Sequence, residues 1–184
     1  MPFIEHTGFK DLLVINPPVF YDERGYFFES YNSKLFVQHH LWYNFVQDNQ
    51  AFSRYGVLRG LHYQKNPHAQ AKLVRVTQGK VFDVVVDLRT DSETCGKWYG
   101  ILLSDENKKQ LLVPKGFAHG YVVLSKTAEF VYKCDNYYHR QSEAGIRYND
   151  PFLNIDWQIP NADLIISSKD LQLPSFADSI PFIP

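Results

Sequence analysis

Through the middle of the chain, short apolar or alternating runs recur at close intervals, at residues 72–77, 81–88, 100–103, 110–113, 120–124 and 129–135, with turn-forming residues between them. Runs of this length with β-branched and aromatic content read as strands. Their rhythm predicts an all-β sandwich or barrel, in one domain covering residues 1–184. Helical periodicity is sparse: residues 33–41 form one candidate helix, and residues 104–108 read as a capped single turn. Gln78-Gly79 predicts a tight turn, because glycine takes the positive φ that such turns need. After Pro160, Leu164-Ile165-Ile166 predicts a short packed element and the later prolines an extended tail. There is no internal repeat and no linker.

The period of two along a strand sorts these side chains into faces. His62 and Gln64 share one face, Lys72, Val74 and Val76 a second, His119, Tyr121 and Val123 a third, and Phe130 and Tyr132 a fourth. If all four faces point into one barrel, His62, Lys72, His119 and Tyr132 converge in its lumen. Arg59 has the opposite parity to His62, so it reaches the same pocket only if the chain turns at Gly60.

Composition narrows the classes of partner. The 184 residues are enough for a substantial core. A net charge of −1 gives no general attraction to nucleic acid or to an anionic membrane, so a bound anion must be met by local cations. The 16 % aromatic content supplies flat apolar walls of the kind ligands use. The segment Met1–His6 carries an early acid and no signal-like apolar stretch, and nothing later has membrane-span length, so a cytoplasmic location is expected. Cys95 and Cys134 are too few and too far apart to suggest a disulfide framework or a zinc site, which predicts reduced, partly buried thiols.

Two segments carry most of the chemistry. Pro114-Lys115-Gly116-Phe117-Ala118-His119-Gly120 fits the cupin pattern Pro-x-Gly-x-x-His. Arg59-Gly60-Leu61-His62-Tyr63-Gln64 keeps the first cupin His but has Gln64 where a metal cupin has its second, and no Glu follows at ligand spacing. With Asp22–Phe27, Gln47-Asp48-Asn49, Lys72, residues 81–89 and Ser168-Lys169-Asp170, in this order, the chain resembles the dTDP-4-dehydrorhamnose 3,5-epimerase family from about Arg24 to Asp170. The resemblance implies a cupin-type jelly-roll barrel or sandwich with a few short helices, without a metal or other cofactor. It implies epimerisation at C3 and C5 of dTDP-4-dehydro-6-deoxy-D-glucose, by proton removal α to the C4 ketone and reprotonation from the opposite face. Such chemistry needs a base, an oxyanion stabiliser and an acid.

By resemblance, His62 is the base, oriented by Asp170; Lys72 meets the charge on the C4 oxygen; Tyr132 is the proton donor; His119 hydrogen-bonds near that oxygen. Arg24, Arg59 and Lys169 match positions that meet the nucleotide-sugar, Glu29, Gln47, Asn49 and Glu143 match polar contacts, and Tyr138 matches an aromatic that packs on thymine. Asp83, within an apolar strand, needs a partner, and His119 and Lys72 are the two in view. The family pattern further implies a homodimer in which the N-terminal strands, about residues 1–50 and including Arg24 to Glu29, reach into the partner's site. Two other readings stay open: an epimerase acting at C3 or C5 alone, and a non-catalytic sugar-nucleotide-binding cupin.

Overall fold

A computed structural model describes residues 3–179, 182 and 183; Met1, Pro2 and part of the proline-containing tail lie outside the described residues. Two sheets face each other. The first has the order β1 (Ile4–His6), β2 (Leu13–Ile15), β10 (Gln110–Val113), β7 (Lys72–Gln78), β12 (Thr127–Cys134), β5 (Gln47–Arg54). The second runs β13 (Glu143–Gly145), β6 (Val57–Gln64), β11 (Phe117–Val123), β8 (Lys80–Asp87), β9 (Trp98–Ser104), and β14 (Ile165–Ile166) adds to β6 in parallel. A separate ribbon, β3 (Phe20–Asp22) with β4 (Gly25–Phe27), stands apart from both. The helices are short: α1 (Ser33–Gln38) and α2 (Ser168–Leu171).

The burial pattern explains the sequence pattern. Val74, Val76, Val81, Val85, Leu111, Tyr121, Val123 and Phe130 pack between the sheets. The other face of the second sheet is covered as well, with Leu58, Leu61, Phe82, Val84 and Val86 packed against Ile146, Trp157 and Phe182. Strand β8 is therefore buried on both faces over most of its length, and it reads as a continuous apolar run rather than an alternating one. On the first sheet's outer face, α1 seats Phe36 against Leu13, Ile15, Leu73 and Leu112.

Several local outcomes differ from the expectations. Gly79 does sit at φ +79°, but the strands on either side of it belong to different sheets. The turn thus carries the chain across the sandwich instead of closing a hairpin, and a Cβ there would lie 2.1 Å from the Thr127 carbonyl oxygen. Helix α1 ends three residues before Leu41, with His40 at φ +60°. Residues 104–108 make a turn without helix, in which the Ser104 and Asn107 side chains each accept from the other's backbone N–H. Both cysteines are free, Cys134 buried but Cys95 exposed rather than partly buried.

One irregularity decides the geometry of the site. Along the β6–β11 ladder His62 pairs with His119, yet Arg59 pairs with Tyr121, so β6 carries one extra residue between them. This bulge lies at Gly60, at φ +128°, where a Cβ would come 2.5 Å from the Gly120 Cα. The extra residue cancels the parity difference, and Arg59 and His62 both line the same cavity.

Candidate active site

A cavity of about 530 Å³ opens between the sheets. The second sheet contributes Arg59, His62, His119 and Tyr121; the first contributes Lys72, Phe130 and Tyr132; α2 and the residue before it add Ser167, Lys169 and Asp170. The groups that matter chemically therefore face each other across an open space.

On the second sheet's wall, His62 Nε2 lies 2.8 Å from Asp170 Oδ1. The other carboxylate oxygen, Oδ2, accepts from the Gly60 N–H at 3.2 Å. Helix α2 presents Asp170 because Ser167 caps it, its Oγ accepting from the Asp170 N–H at 3.1 Å. Burial alone would raise the Asp170 carboxyl, but the hydrogen bond and charge of His62, with the Gly60 and Ser167 contacts, hold it below the usual carboxylate range. A carboxylate on Nε2 favours the tautomer protonated there and leaves Nδ1 as the nitrogen that can accept a proton. Beside it, His119 Nε2 lies 3.0 and 2.9 Å from the two carboxyl oxygens of the buried Asp83. Burial pushes the Asp83 carboxyl up against the opposing pull of His119 and Lys72.

On the facing wall, Lys72 has no carboxylate within ion-pairing distance among the described residues. It is half-buried and lines the cavity. Burial lowers its pKa from the ordinary lysine value, and Cys134, Asp83 and Glu143 offset only part of that. Lys72 Nζ lies 5.8 Å from the centre of the Tyr132 ring. The Tyr132 phenol is pushed up to about 12 by burial and by the neighbouring Cys134 and Tyr121. It therefore remains protonated through the neutral range and has a proton to give.

Next to this cavity, and sharing His62 and Lys169 with it, a smaller one of about 300 Å³ is lined by Tyr138, Arg140, Glu143, Ala144 and Leu173. Glu143 ties its sides together: Oε1 pairs with Lys169 Nζ at 2.7 Å and Oε2 accepts from the Tyr138 hydroxyl at 3.0 Å. Among the described residues there is no cluster of three or more His, Cys, Asp or Glu that could hold a metal ion, and no helix is long and apolar enough to cross a membrane.

A family model described as dTDP-4-dehydrorhamnose 3,5-epimerase matches residues 6–178. The chain belongs to the dTDP-4-dehydrorhamnose 3,5-epimerase family. The enzyme of that name from Shigella flexneri is 51 % identical over 178 residues, 96 % of this chain and 97 % of the relative. A crystal structure of the Elizabethkingia anophelis enzyme is 57 % identical, with a TM-score of 0.91 over 95 % of this chain and 96 % of that one. A second, of dTDP-6-deoxy-D-glucose-3,5-epimerase from Legionella pneumophila in complex with dTDP-4-keto-L-rhamnose, is 46 % identical with a TM-score of 0.91 over 98 % of both chains. The protein is thus an epimerase, and its two-sheet architecture is the cupin-type jelly roll.

The structure does not gather every residue matched to the family pattern. Gln47 and Asn49 lie on β5, where Gln47 Nε2 donates to Asn49 Oδ1 at 3.0 Å and Asn49 Nδ2 to Cys134 Sγ at 3.7 Å, and neither lines the cavity about His62. Arg24 and Glu29 do not line it in this chain either: Arg24 pairs with Asp22 on the exposed ribbon, and Glu29 accepts from Asn32. The sequence reading passed over Ser167, although Ser167-x-x-Asp170 is a recognisable helix-start pattern. It also gave Tyr121 no role. Tyr121 stands on the cavity wall with its hydroxyl beside Ser53 and Arg59, and its parity with His119 was the available signal.

Proposed function

We propose that the 530 Å³ cavity is where dTDP-4-dehydro-6-deoxy-D-glucose is converted to dTDP-4-dehydro-L-rhamnose. The single observation that carries the reading is the opposition of an oriented imidazole on one sheet to an ammonium and a protonated phenol on the other. His62 Nδ1 takes the proton from a carbon next to the C4 ketone, and Asp170 stabilises the imidazolium that forms. The electron pair moves onto the C4 oxygen, where Lys72 meets the negative charge. Tyr132 returns a proton to the carbon from the opposite face, which inverts it. His119, fixed by Asp83, is placed to hydrogen-bond close to the same oxygen. Once His62 has released its proton to solvent and Tyr132 has regained one, the second carbon flanking the ketone undergoes the same sequence.

The nucleotide belongs in the smaller neighbouring cavity, with Tyr138 against thymine and Lys169 and Arg59 meeting the diphosphate. We place the enzyme in the cytoplasm as a homodimer whose Arg24 to Glu29 segment completes the partner's site. The support is an aromatic ribbon with Phe20, Tyr21, Tyr26 and Phe27 all exposed, surface that is costly to leave in water.

Incubation with the keto sugar in deuterated water, followed by NMR at C3 and C5, tests the chemistry. Exchange at both carbons is expected. Exchange at only one would make the protein a single-position epimerase, and none at either would overturn the catalytic reading. His62→Ala should lose exchange at both carbons, whereas Tyr132→Phe should retain exchange while net inversion falls.

A further inference from the structure

Gln64 stands where a metal-binding cupin would carry an imidazole, yet it lines neither cavity. It is nevertheless buried at the end of β6, and its side-chain amide makes three hydrogen bonds to backbone. Nε2 donates to the His68 carbonyl at 2.8 Å and to the Tyr137 carbonyl at 3.3 Å, while Oε1 accepts from the His139 N–H at 2.7 Å. Between those two anchored peptides lies Tyr138, whose own N–H donates to Gln47 Oε1 at 3.1 Å. The loop is laced to its neighbour elsewhere too, by Gln70 Nε2 on the Asn136 carbonyl at 2.7 Å and by the stacked rings of His68 and His139, 3.9 Å apart. The Tyr138 ring, by contrast, is exposed and held at its tip by Glu143.

From this arrangement we infer that Gln64 is a positioning residue for nucleotide binding: it fixes the backbone on both sides of Tyr138 and so presents the ring, preformed, as a wall of the smaller cavity. The inference rests on the reading that the nucleotide packs against Tyr138. Only a side-chain amide fits the position. A neutral imidazole has one donor and one acceptor on a rigid ring, and a carboxylate has no donor for the His68 and Tyr137 carbonyls. A loop held in its bound conformation spares the ligand the cost of ordering it, so the contribution appears as affinity, away from the groups that move protons.

Gln64→Met keeps the volume and removes all three bonds. Titration with dTDP should give a dissociation constant raised about tenfold or more, with KM for the keto sugar raised in parallel and kcat within about twofold of native. Adding Gln64→Met to Tyr138→Ala should weaken binding no further than Tyr138→Ala alone, because both changes act through one ring. If Tyr138→Ala weakens binding while Gln64→Met binds dTDP like the native protein, the inference is overturned and the nucleotide reading stands. If Tyr138→Ala itself binds like native, the nucleotide reading fails first. A fall in kcat at unchanged KM would also overturn the inference. Should Gln64→Met not fold, Gln64→Asn, which withdraws the same amide by one methylene, is subject to the same outcomes.

Discussion

At the level of single residues, Lys72 shows most directly what the site costs the fold. Burial lowers its pKa, and no carboxylate pairs with it among the described residues. The sign follows from the direction of the shift. A lysine whose folded-state pKa lies below the unfolded value binds fewer protons in the native state over the window between the two. Stability therefore rises with pH through that window, and the full penalty is present below the folded-state pKa. Lys72→Met should remove this penalty together with the charge that we propose meets the C4 oxygen. The expected result is a Tm raised by a few degrees, as about 1 kcal/mol shifts a domain of this size by ~2–4 °C, with kcat lowered about 10²–10³-fold. Thermal denaturation and steady-state turnover on the same preparation check both halves. A variant that is less stable than native and still active would mean that Lys72 is a packing residue.

At the level of elements, the bulge at Gly60 does what no single side chain could. It removes the parity conflict between Arg59 and His62, and it turns the Gly60 N–H toward Asp170, the carboxylate that orients His62. Gly60→Ala meets two obstacles, the positive φ and a Gly120 backbone atom 2.5 Å from the new Cβ. We expect a loss of about 1–3 kcal/mol in stability and a loss of turnover larger than a loss of fold alone explains, read from urea titrations beside activity measured well below the unfolding midpoint. Native stability with native turnover would show that the strands part without consequence. The strands themselves were legible, because β7, β8, β10 and β12 declare themselves by apolar or alternating runs of strand length. So was the inward set of His62, Lys72, His119 and Tyr132, since a period of two needs only one correct register. The sheet assignment at Gly79 was not legible: a glycine at positive φ is compatible with a hairpin or with a crossing between sheets, and long-range pairing chooses. The function of Gln64 was illegible for a related reason, as its partners are backbone groups of loops that side-chain patterns do not register.

At the level of the whole molecule, the position of Arg24 sets the question. Its side chain is 87 % exposed on a ribbon of exposed aromatics, with Asp22 as its ion-pair partner, and it is no part of its own chain's cavity. Were Arg24 to act on substrate, it would do so in another copy's site, which mixed dimers can detect. Take Arg24→Ala chains, defective in what they lend, and His62→Ala chains, defective in what they hold, and let equal amounts exchange subunits. In a mixed dimer one site then holds both defects. The other pairs the His62 of the first chain with the Arg24 of the second and is intact. Random assortment makes about half the dimers mixed, so activity should recover to about one quarter of native from two preparations that are each nearly inactive. If Arg24 served its own chain's site, every site in a mixed dimer would carry one defect and nothing would recover. Phe27→Asp, placed on the same ribbon, should prevent the exchange by disfavouring the dimer, which sedimentation would register as a shift to the monomer. Recovery that persists in chains sedimenting as monomers would refute the composite site.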